Sequence, residues 1–207
     1  MRRAGLGLAL LLVAAAGPAA GHHVGVWAPR DNEVSSNFKQ IKFALQADKF
    51  DVALQLYETG PLRRELRARA DRLPPGLDDG IRTALAAGEA RAAEHRLMLF
   101  FMALTRDLAR EADRQLADTA APRETRLASG RKFLEAIWRY YNLVDFAVTQ
   151  YDPKAATAVR LAFDEAESYA KGAAAPDPDR LRGSFQQMVR VFTGVIERSA
   201  TSARRDS

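Results

Sequence analysis

"RKFLEAIWRYYNLVDFAVTQYDP", residues 131–153, decides how this chain folds. Phe133, Ile137, Tyr140 and Val144 fall on one line at helical spacing, and Leu134, Trp138, Tyr141 and Val148 fall on the line beside it. Steps of three and four residues are those of an α-helix. Two adjacent apolar lines make a face broad enough to require partners on more than one side. The stretch therefore predicts a central helix, opened by Pro122 and running to about Tyr151. Asp152-Pro153 then starts another helix, with aspartate as its cap and proline in its first turn.

The same periodicity extends in both directions. Towards the carboxyl end, Val159, Ala162, Phe163 and Ala166 stripe a helix that stops near Gly172, and "GAAAPDPD" reads as a linker. Leu181, Phe185, Met188, Phe192, Val195 and Ile196 then form the cleanest seam in the sequence. Towards the amino end, residues 79–117 lack proline and are rich in good helix formers, with Gly88 as the expected bend. Inside that stretch "LMLFFMAL", residues 97–104, is apolar all round and must be surrounded by other elements. Earlier still, Val34, Phe38, Ile41 and Leu45 mark one short helix, and Phe50, Leu54 and Tyr57 a second that ends at Gly60-Pro61. Leu62, Leu66 and Leu73 mark a third piece, stopped by Pro74-Pro75-Gly76. No segment alternates strictly with β-branched residues. The expectation is an all-α fold: an antiparallel four-helix bundle with an additional amino-terminal helical hairpin and no sheet.

The first residues read as an export leader. Arg2 and Arg3 precede the apolar run "LGLALLLVAAA" and the small-residue exit "GPAAG". The run is shorter than the roughly 20 residues a membrane span needs. The expected organisation is a cleaved signal peptide over 1–21, a flexible mature terminus over 22–30, one helical domain over 31–200 and a disordered tail over 201–207. The expected location is the periplasm or the exterior, with no membrane span after cleavage. Losing Arg2 and Arg3 with the leader lowers the formal charge from +5 to +3. That small, dispersed excess does not make a nucleic-acid-binding face. Cysteine is absent, which excludes disulfides, thiolate metal sites and covalent haem attachment.

Candidate chemistry is sparse. His22 and His23 follow the leader. Cleavage after Gly21 makes His22 the new terminus, whose amine and ring chelate copper with His23 or His95 as a further ligand. Cleavage after Ala20 places His23 third, the arrangement that binds Cu(II) or Ni(II) in a square plane. Glu94 lies on the line of Met98, Phe101, Thr105 and Leu108 and points inward, His95 lies on its flank, and Asp145 faces inward from the central helix. A metal held by Glu94, His95 and Asp145 is one reading. A structural ion pair with Arg131, Arg139 or another of the arginines is the other, because buried carboxylates need partners. Adjacent residues such as Glu94 and His95 diverge by about 100° on a helix, which weighs against one shared ion. Trp138, Tyr140, Tyr141, Tyr151 and Tyr169 form either core or an aromatic pocket, where a haem-like ligand would draw on His95, Met98 or Met102.

Catalytic signatures are missing: there is no Gly-x-Ser-x-Gly, phosphate loop, His-Glu-x-x-His or dinucleotide fingerprint. "LQADKFDVALQLYETG", residues 45–60, resembles the helix–turn–helix unit of tetratricopeptide repeats, which implies a hairpin able to dock a protein partner. No second copy follows at the 34-residue period: "RADRLPPGLDDGIRTAL", residues 69–85, does not repeat the pattern. The function expected is that of an exported, non-catalytic helical-bundle binding or accessory protein. It handles copper or iron through His22, His23, His95 and Glu94. The alternative is a metal-free interaction module that uses the amino-terminal hairpin to bind a periplasmic protein.

Overall fold

The computed structural model describes residues 31–171 and 176–205, and the burial of side chains as far as residue 200. Within them the chain is helical throughout, with no strand. In chain order the helices are α1 (Glu33–Gln46), α2 (Phe50–Thr59), α3 (Pro61–Ala68), α4 (Leu77–Ala86), α5 (Ala90–Ala117), α6 (Arg123–Tyr151), α7 (Pro153–Lys171) and α8 (Pro178–Arg205), plus a single 3₁₀ turn over Ala70–Arg72.

The four long helices make the bundle. α5 packs against α6 and α8, and α7 packs against the same two, closing a ring of four. Connections as short as the lone Asp152 between α6 and α7 force sequential neighbours to run antiparallel. All eight residues of Leu97–Leu104 are buried, because α5 meets α1, α4, α6 and α8 on its different sides. On α6 the buried line is Leu134, Ile137, Tyr141, Val144 and Val148, with Phe133, Trp138 and Tyr140 packed along its margins. On α8 every residue of the expected seam, from Leu181 to Ile196, is buried. Each such side chain contributes about 1.5–3 kcal/mol of gross hydrophobic stabilisation. α8 continues to Arg205, through residues 201–205 that the sequence assigns to a tail, since no glycine or proline after Gly194 stops it.

The amino-terminal part is larger than the expected hairpin. The long helix expected over 79–117 is two helices. Gly88 adopts φ +71°, and the N–H of Glu89 donates back to the carbonyl of Ala84 at 2.9 Å. That left-handed turn suits glycine and ends α4 outright. α4 then packs on α5 instead of extending it. With α1, α2 and α3 it forms a four-helix cap on the bundle.

Polar stitches hold the cap. Asn32 and Ser35 make a reciprocal capping box at the start of α1, each side chain accepting from the other's backbone N–H at 2.9 Å. The Asn32 amide also donates to the Tyr140 hydroxyl at 2.6 Å, fastening α1 to α6. Buried Asn37 donates to the Leu56 carbonyl and accepts from the Leu62 N–H, both at 3.1 Å, so one side chain satisfies the α2–α3 turn. Gly60 is required there because a Cβ would run into the Asn37 side chain.

Asp78, on α4, is the second stitch. It accepts from the Tyr57 hydroxyl at 2.7 Å, from Arg63 at 2.8 and 3.2 Å, and from Arg67 at 2.9 Å, joining α2, α3 and α4. Partial burial pulls its carboxyl upward, but the hydrogen bonds from Arg63, Tyr57 and Arg67 prevail and hold it at about 2. A carboxyl lowered on folding stabilises above its unfolded value, and the contribution is lost as pH falls through the folded one. We therefore expect Asp78→Asn to cost on the order of 1–2 kcal/mol near neutral pH. The gap to wild type should close between about pH 4 and pH 2. Urea unfolding of both proteins across that range checks this, and a gap independent of pH would refute the ionic role.

Candidate functional site

A cleft of about 550 Å³ lies where α1 crosses α5 and the second half of α6. Its floor is apolar: Phe38 and Leu45 from α1, Leu97 and Met98 from α5, Val144 from α6, all buried. Its walls and mouth carry Lys42 and Gln46 from α1, Arg91, Glu94 and His95 from α5, and Phe146, Gln150 and Tyr151 from α6. Phe146 is 69% exposed at the mouth. Apolar clefts of this size with a few convergent polar groups are the usual form of a ligand site.

The electrostatics of the cleft differ from those of its surroundings. Most partly buried carboxylates elsewhere are paired. Asp145 takes two hydrogen bonds from Arg160 of α7, at 3.1 and 2.5 Å, and Asp113 takes one from Arg182 of α8 at 2.6 Å. Asp107 pairs with Arg106 at 3.0 Å. In the cleft, by contrast, Lys42, Arg91, Glu94 and Gln150 make no hydrogen bond or ion pair with another described residue. The His95 ring sits edge-on to Tyr151, centroids 4.8 Å apart. Burial, reinforced by the charge of neighbouring Arg96, pushes its imidazole below the ordinary histidine value of 6.5. The ring is therefore neutral at physiological pH and keeps one nitrogen able to accept.

The expected site residues are only partly brought together. Glu94 and His95 are both half-buried and line the same cleft, despite their angular separation on α5. Asp145 is not with them: its carboxylate makes the structural ion pair of the other reading, with Arg160 as the arginine. Among the described residues no three of histidine, aspartate and glutamate gather as metal ligands. His22 and His23 lie outside the described residues. Of the aromatic set, Trp138 and Tyr141 pack on Phe163 in the core, Tyr140 binds Asn32, and Tyr169 lies under the Arg180 guanidinium. Only Tyr151 reaches the cleft. Met98 is on its floor, whereas Met102 is fully enclosed.

Lys42, Arg91 and Phe146 were not singled out from the sequence. Two of them carried a signal. Lys42 falls between Phe38 and Leu45 on the apolar side of α1, and Phe146 is an aromatic outside both apolar lines of α6. No helix of the described residues is long and apolar enough to cross a membrane. No family model matches the chain, and no curated protein or solved structure matches it. In an NMR pH titration we expect the His95 imidazole to titrate below 6.5, and Arg96→Gln to move it upward. A midpoint at or above 6.5 would mean that the ring is not shielded from water.

Proposed function

We propose that this is an exported, non-catalytic binding protein of the periplasm, and that the α1–α5–α6 cleft is where it binds. One observation carries the reading: polar side chains that pair with no other described residue converge on one apolar-floored cleft, in a molecule that pairs most of its other partly buried charges. Half-buried Lys42 and Glu94 cost free energy while unpaired, so a ligand that satisfies them recovers that cost on binding, and exposed Arg91 and Gln150 offer further contacts at the mouth. The amino-terminal hairpin buries Ile41, Ala53 and Tyr57 and leaves Phe43 and Val52 exposed, but no cleft with convergent polar groups lies on it among the described residues apart from the α1 wall of this one.

The neutral, uncharged dye Nile red tests the cleft. Ala147 lines it at the edge of the core, and Ala147→Trp fills it from the α6 side. We expect saturable binding of one dye per chain to wild type, and at least about tenfold weaker binding to the plugged variant at unchanged helicity. Dye binding indifferent to the plug would rule the cleft out.

A metal-handling role is the second reading, favoured by one observation: Glu94 and His95 open into the same cleft and are not engaged in hydrogen bonds to described residues. Copper or iron would be held by His22 and His23, with His95 and Glu94 completing the set. Under this reading, stoichiometric Cu(II) uptake by the mature protein falls in a His22→Ala, His23→Ala double variant and in His95→Ala. Uptake by neither wild type nor variant, measured as bound metal after dialysis, would remove it.

A further inference from the structure

Resting on the cleft reading above, we infer that the ligand is a small organic monoanion: one carboxylate on an apolar chain or ring. The floor offers the body of such a molecule only hydrocarbon and thioether surface, from Phe38, Leu45, Leu97, Met98 and Val144. The charged side chains above it are two cations, half-buried Lys42 and exposed Arg91 at the rim, and one half-buried acid, Glu94. None of the three is in an ion pair with a described residue, so the uncompensated charge of the cleft is positive. Coulomb attraction strengthens where walls of low polarisability replace water, and half-buried Lys42 is in such a place.

The alternatives are each disfavoured by a named group. An organic cation would meet a majority of like charge. A neutral ligand would shut Lys42 away from water without a counter-charge. A dianion would bring its second charge to Glu94. A monoanion with its body on the floor and its carboxylate towards Lys42 and Arg91 leaves Glu94 free to accept from a hydroxyl or amide of the ligand. The volume, about 550 Å³, lies within the roughly 300–1,000 Å³ typical of sites for small organic molecules.

Displacement of Nile red from the full chain by four probes of one chain length tests the inference: octanoate, octanol, octylamine and the dicarboxylate suberate. Octanoate is expected to compete best, and shortening it to hexanoate should weaken it by about tenfold, two methylenes fewer being buried. In a Lys42→Gln, Arg91→Gln double variant, octanoate should lose about tenfold or more while octanol is nearly unchanged. Both positions are outside the buried core, and the helical circular-dichroism signal checks that the variant folds. If octanol or octylamine competes as well as octanoate, or if none of the four displaces dye that the Ala147→Trp plug does exclude, the monoanion is overturned and the cleft stands. Dye that ignores the plug removes the cleft and the inference together.

Discussion

Eight consecutive apolar side chains, Leu97 to Leu104, cannot be hidden by one neighbour, because on a helix they point in every direction. That constraint organises the molecule. α5 must be walled by α6 and α8 on one part of its circumference and by α4 and α1 on another. The bundle alone leaves part of α5 uncovered, and the amino-terminal helices complete the enclosure. The two parts accordingly share one continuous core, running from Phe38 through Phe101 to Ile196. Phe101 sits at the join, edge-on to Phe38 at 4.8 Å and beside Tyr140 at 5.8 Å.

What was legible in the sequence is what a helix decides locally. The stripe of α8, the breadth of α6, the cap at Asp152 and the enclosure of 97–104 follow from spacing and from the chemistry of single residues. What was not legible depends on elements distant in the chain. Gly88 sits between good helix formers, and nothing local distinguishes a bend from a left-handed stop. Asp145 chose Arg160, which comes within reach only when α7 folds back along α6. The cleft is the clearest case. Its α1 and α6 walls are some hundred residues apart in the chain, and no window of sequence contains both. Glu94 and His95 were found because their types are rare on an apolar helix, yet their meeting in one cleft comes from where α1 crosses.

Polar groups divide into two populations. Asn37, Asn32, Asp78 and Asp152 each satisfy two or more partners and hold helix ends in place. They specify the geometry of the helix ends as well as stabilising them. Around the cleft, Lys42, Arg91, Glu94 and Gln150 make no hydrogen bond or ion pair with another described residue. Such a division is the pattern of a scaffold built around a site, where stability is spent on rigid surroundings and the site itself retains unmet demand.

Asp152 is the sole residue between α6 and α7. Its N–H donates to the Val148 carbonyl, its carboxylate accepts from the Ala155 N–H at 2.9 Å, and Arg198 of α8 grips the other oxygen. Such a joint behaves as a gear tooth with no play. One inserted residue would carry the start of α7 away from the Val148 carbonyl and from Arg198, so the cap and the grip on α8 would no longer be held by the same side chain. Drift in length among descendants of this chain should therefore be strongly suppressed at this corner.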